Sequence, residues 1–172
     1  MHPKSVPAGT AFLVSALMIY PAFAAVNVDL ERQTMRFDFH VSTKALTPDK
    51  YTKFKKNLEL ALSFCHMLLG VKPILSTVSY EERSGLYMTS WERDMETLIE
   101  QEIDILHEQL LNFCDEEDVE LEDLSMDGEQ FYHFERVFEE LFHHVQELDH
   151  NLRLRAYRDM GMIYVHRIPG LE

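Results

Sequence analysis

Seven apolar side chains near the carboxyl end, Phe131, Phe134, Phe138, Leu141, Val145, Leu148 and Leu152, alternate at spacings of three and four without a break. An α-helix gathers such positions on one stripe, which must then be shielded from water. Val137 and Phe142 widen the stripe on either side, so it suits a globular bundle better than a two-stranded zipper. Running from about Asp127 to Arg158 it would span roughly 45 Å at 1.5 Å per residue. Part of that face would extend past an intramolecular core and need another copy or another chain to cover it.

Two further helices follow the same rule. Thr47-Pro48-Asp49 supplies an N-cap, a proline at the first helical position and an acid in the first turn. Tyr51, Phe54, Leu58, Ala61, Cys65 and Leu68 then recur at three and four until Gly70 stops the helix. Another helix is predicted from near Ser90, with a seam through Met95, Ile99, Ile103, Leu106, Leu110 and Phe113, and Trp91 packing at its start. Residues 71–89, with Pro73, Gly85 and several Ser and Thr, read as a connector.

Period-two alternation marks strands. Val26, Val28 and Leu30, and then Met35, Phe37, Phe39 and Val41, form a hairpin whose turn is Glu31–Gln33, and Met162–Ile168 reads as a short terminal strand. The expected fold class is therefore mainly α: a three-helix bundle-like domain with a small N-terminal β-hairpin and a C-terminal strand. No internal repeat is evident.

Before the hairpin, Lys4 precedes the apolar run Ala11–Ile19, and Pro21 ends it ahead of Ala22-Phe23-Ala24. That order of parts is the pattern of a secretory signal peptide, cleaved between Ala24 and Ala25. Nine apolar residues fall short of the roughly 20 a bilayer core requires, so no membrane span is expected after cleavage. The expectation is a leader over 1–24 and one mature domain over 25–172, secreted or extracellular, or periplasmic in a bacterium.

An oxidising compartment makes a disulfide between Cys65 and Cys114, the two cysteines, the natural expectation. It requires Cα atoms within about 7 Å, and a simple antiparallel helix pair would leave the two at opposite ends. Two buried thiols are the alternative.

Charge narrows the partners. With 16 Lys and Arg against 30 Asp and Glu, the net charge of −14 repels nucleic acid and anionic membranes and favours a protein partner, one with a basic surface in particular. Asp123, Ser125 and Asp127 ahead of Gly128 resemble the first half of a calcium-binding EF-hand loop, but the twelfth position is Phe134 where a bidentate Glu belongs. Asp127 with Gln130 also spells a helix capping box. Asp115, Glu116, Glu117, Asp118, Glu120, Glu122 and Asp123 read as a solvated loop, and Glu140/His143 and Glu147/His150 fall away from the seam. No glycine-rich phosphate loop or nucleophile elbow occurs, so no cofactor and no catalytic residue are assigned.

The expected function is that of a secreted interaction protein, a ligand, inhibitor or effector, recognising its partner through helical surfaces, with the aromatics Trp91 and Tyr132 as anchors. A subunit of an extracellular or envelope assembly, including a homo-oligomer, and a calcium module on the 115–129 loop are the alternatives.

Overall fold

The structure is a computed structural model that describes residues 5–121 and 126–169. In chain order it runs α1 (Ser5–Ile19), β1 (Ala25–Asp29), β2 (Thr34–Ser42), α2 (Pro48–Leu69), β3 (Ser76–Arg83), β4 (Leu86–Asp94), α3 (Glu100–Glu116), α4 (Gly128–Phe142), a 3-10 turn (Val145–Glu147), β5 (Arg153–Asp159) and β6 (Met162–Arg167). Six strands form one antiparallel sheet in the order β3-β4-β2-β1-β5-β6. The fold is α/β, and the three-helix bundle expected from the heptads is corrected accordingly.

The sheet consists of three hairpins, each preceded in the chain by a helix, with the first hairpin in the middle. Its alternation is the one read from the sequence: Val26 pairs with Phe37 and Val28 with Met35. Two turns close the outer hairpins with paired positive φ angles, Ser84 at 53° and Gly85 at 79°, then Met160 at 49° and Gly161 at 75°. That is the geometry whose twist matches antiparallel strands, and a glycine at the second position relieves half of its steric cost.

Helices cover one face of the sheet. Helix α2 begins and ends as its sequence dictates, with the Thr47 hydroxyl accepting from Lys50 N–H and Gly70 closing the helix in the left-handed region. It lies antiparallel to α3: Lys50 near its start pairs with Glu117, and His66 near its end bonds Glu102 at 2.8 Å. Phe54 and Phe113 from this pair meet Phe39 of β2, with ring centroids 5.7 and 6.1 Å away.

Part of the seam expected to need another chain is covered from within: Phe138, Val145 and Leu152 are buried, while Phe131 stays 41% exposed. Helix α4 ends at Phe142, far short of Arg158, and packs against α1, where Phe138 stacks on Phe12 at 5.1 Å. Phe12, Leu13, Ala16 and Leu17 of α1 are fully buried, and Tyr20, Ala22 and Phe23 behind them are buried too. Ser5–Ile19, within the expected leader, thus forms a core helix of this fold. Ala24 N–H donates to the Asp38 carbonyl at 2.8 Å and Ala25 is the first residue of β1, so the expected cleavage point lies at a strand boundary inside the sheet. Among the described residues no helix is long and apolar enough to cross a membrane.

Candidate functional site

Helix α2 buries one side, Tyr51, Phe54, Leu58, Leu62 and Cys65, against the sheet and α3. The opposite side of its C-terminal half is apolar as well. Leu60, Phe64, Met67 and Leu68 are 60, 54, 65 and 74% exposed. Their spacing of i, i+4, i+7 and i+8 makes them direct neighbours on one helical ridge. Together they present on the order of 500 Å² of apolar surface, the size at which a continuous patch marks an interaction site.

The same face changes character toward the helix start, where the exposed Lys53 and Lys56 lie two turns and one turn before Leu60, and exposed Lys72 follows the helix end. In a chain of net charge −14 this is a local reversal of sign. The ridge therefore has an apolar middle and basic ends.

A buried ionic clasp holds the end of α2 in place. Arg93 on β4 is fully buried and donates from Nε and Nη2 to the two carboxylate oxygens of Glu102 at 3.0 and 3.1 Å. Glu102, also fully buried, accepts from Ile99 N–H at the start of α3 and from His66 of α2. Asp94 bonds the other side of Arg93, and its Oδ1 takes the N–H groups of Ile74 and Leu75 at 3.0 and 2.9 Å. Burial pushes the Asp94 carboxyl up, and the hydrogen bonds from Thr97 and the Leu75 backbone outweigh it and hold it below the ordinary value.

A second polar contact fixes α1. His107 of α3 is buried, accepts at Nε2 from Ala22 N–H at 3.2 Å and is pushed down to about 4 by burial, with Arg158 adding to the shift. Tyr20 donates to Asp104 at 2.7 Å, and its own pKa is raised by burial and by that carboxylate.

The residues singled out from sequence fall in separate places. Trp91 is not at a helix start: it sits in β4, almost fully buried, stacked on Phe37 and donating from Nε1 to Ser76 Oγ at 3.0 Å. Tyr132 is on α4, 64% exposed, beside the partly exposed Phe131. Cys65 and Cys114 are free and buried. The expected disulfide is absent because α2 and α3 are antiparallel. Cys65 lies near the start of α3 and Cys114 at its end, about 18 Å along the axis for twelve residues. Burial raises both thiols, Cys114 to about 11.

Of the calcium residues, Asp123 and Ser125 lie outside the described residues. Asp127 is the N-cap of α4, its carboxylate accepting from Gln130 N–H at 2.8 Å while Gln130 reaches back to Asp127 N–H. Among the described residues no group of three or more His, Cys, Asp or Glu is placed to hold a metal. The spacing places Leu68 with the buried seam, so the α2 ridge does not stand out in the sequence, yet the structure leaves Leu68 74% exposed. Leu60, Phe64 and Met67 carried the signal: a second apolar stripe beside a complete one. No protein-family model matches this chain, and a search of curated proteins finds none similar to it.

Proposed function

We propose that this protein is an interaction module whose working surface is the α2 ridge, and that the ridge receives an amphipathic helix of another protein, apolar in its middle and acidic toward its ends. The exposure of Leu60, Phe64, Met67 and Leu68 on a single helical face carries this reading. Burying such a face is the mode of helix-in-groove recognition, with anchors at i, i+4 and i+7.

Charge decides between occupants. A second copy laid antiparallel across Phe64 would bring Lys56 opposite Lys72, and a parallel one would set Lys53 and Lys56 against themselves. Either juxtaposes like charges, which is unfavourable. Acidic residues on a foreign helix complement the same lysines. This differs from the basic partner suggested by the net charge, because the ridge has the opposite sign to the chain as a whole.

Fluorescence anisotropy with two labelled 18-residue amphipathic peptides, identical except for Glu or Lys at their ends, tests the reading. The Glu peptide is expected to bind about tenfold more tightly, and Phe64→Asp to abolish binding with little change in melting temperature, since Phe64 is exposed. Equal binding of both peptides, or persistence in the variant, overturns it. So does a dimer in light scattering that Phe64→Asp dissolves, which would assign the ridge to a second copy.

A further inference from the structure

The face of the sheet away from the helices carries a different kind of site. Its side chains alternate with the core ones, so β1 contributes Asn27 and Asp29, β2 Thr34, Arg36 and Asp38, β4 Ser90 and Glu92, and β5 Arg153 and Arg155. With Arg32 from the first hairpin turn, the guanidiniums of Arg36, Arg153 and Arg155 line a depression of about 190 Å³. Four arginines thus meet at one concavity in a chain with an excess of 14 negative charges.

Beneath them Asp38 is almost fully buried. It accepts from Arg36 Nε at 2.8 Å and Nη2 at 3.3 Å and from Ser90 Oγ at 2.7 Å, and lies 3.5 Å from Arg155 Nη1. Asn27 bridges the two, donating to Asp38 at 3.3 Å and accepting from Arg155 at 3.2 Å. Arg153 pairs with Asp29 at 3.0 Å and Arg32 with Glu92 at 3.3 Å. Two of the arginines are therefore held by a buried anchor, which reduces the ordering cost of a ligand.

Two sums point to an anion. Against their direct partners Asp29, Asp38 and Glu92 the four arginines leave one positive charge over, and Glu81 acts on Arg36 as well. Each guanidinium offers five N–H donors, so the four carry about twenty, and the contacts above use only a few among the described residues. Arg36 and Arg155 neutralise the buried Asp38 carboxylate, whereas the exposed Arg32–Glu92 pair contributes little to stability. The donors come from a turn and from two strands separated by β1, on different sides of the hollow. A planar carboxylate needs one guanidinium fork, whereas a tetrahedral group with oxygens in several directions can engage all of them.

We propose that this depression binds the phosphate group of a small soluble phosphate monoester. The site is separate from the α2 ridge and does not depend on it.

Titration calorimetry of the full chain with inorganic phosphate and with glycerol phosphate, at ionic strength matched with chloride, tests the assignment. Both are expected to bind. Arg153→Gln/Arg155→Gln is expected to weaken binding at least tenfold. Arg32→Gln, whose exposed side chain can be lost without disturbing the fold, is expected to weaken it about threefold. Circular dichroism of each variant separates lost binding from lost structure. The proposal is overturned if succinate binds as well as phosphate, or if Arg32→Gln and the double variant, both folded, keep affinity within twofold of the parent. Capture on vesicles containing phosphatidic acid without binding of the free esters would also overturn it, by assigning the arginines to a lipid surface.

Discussion

Removing residues 1–24 is the most informative perturbation of this fold. Helix α1 lies between the sheet and α4, so its loss uncovers Phe138 and Phe142 on α4 and Val26, Val28, Leu152 and Leu154 on the sheet side, all now 7% exposed or less. The ordering entropy released with α1 is set against the burial of its own side chains, Phe12, Leu13, Ala16 and Leu17 among them, so the exposure of its partners measures the cost. Full burial of such a side chain contributes about 1.5–3 kcal/mol, so re-exposing even half of the six costs about 5–9 kcal/mol. That rivals the entire stability of a typical domain, about 5–15 kcal/mol. The chain beginning at Ala25 is therefore expected to lose its cooperative melt and bind a hydrophobic dye, while the full chain melts in one transition. Thermal melts by circular dichroism, with dye fluorescence on both chains, measure this. A 25–172 chain with native strand content and a melting temperature within a few degrees of the full chain would refute the reasoning and show that export with cleavage leaves the fold intact.

His107 makes stability depend on pH. Its pKa falls from an ordinary value near 6.5 to about 4 in the folded chain, so the unfolded state takes up the proton first as pH drops. The contribution is full above pH 6.5 and is lost at about 1.4 kcal/mol per pH unit down to pH 4, in total about 3 kcal/mol. Urea melts across that range should show the slope, and His107→Gln, which keeps an acceptor for Ala22 N–H, should flatten it; an unchanged slope in the variant contradicts the assignment. Arg93→Met strands the buried Glu102 carboxylate and is expected to cost about 3–5 kcal/mol, with much of the loss recovered in Arg93→Met/Glu102→Leu. A single variant within 1 kcal/mol of the parent in urea unfolding would show that the clasp is not a determinant of stability.

The first hairpin and α2 were legible because each has a single strong period and explicit ends: alternation around Glu31–Gln33, Thr47 and Pro48 before α2, Gly70 after it. The second hairpin was hidden by its own chemistry. Ser76 to Ser90 is rich in Ser and Thr and reads as a connector, and Arg93 occupies a core-facing position where alternation calls for an apolar residue. The pattern Val78, Tyr80, then Tyr87 and Trp91 about the Ser84-Gly85 turn was the available signal. At the third hairpin Leu152 satisfies two periods at once, the seam of α4 and the run Leu152, Leu154, Ala156 of β5, and the longer pattern prevailed. Helix α1 has a composition with two readings: a helix pressed between a sheet and another helix is apolar all round, which is also the composition of a signal-peptide core. The α2 ridge could be read from spacing, but the arginine hollow could not, since Arg32 and Arg36 lie more than a hundred residues from Arg153 and Arg155.

Strand β1 joins β2 across a short turn on one edge but meets β5, 126 positions from Val28 to its partner Leu154, on the other. At about 5–20 residues per second on a ribosome, the earliest hairpin waits roughly 6–25 s with its backbone donors and acceptors open along that edge. The middle of the sheet is thus synthesised first and sealed last, and until β5 arrives that open edge is a template for pairing with other chains.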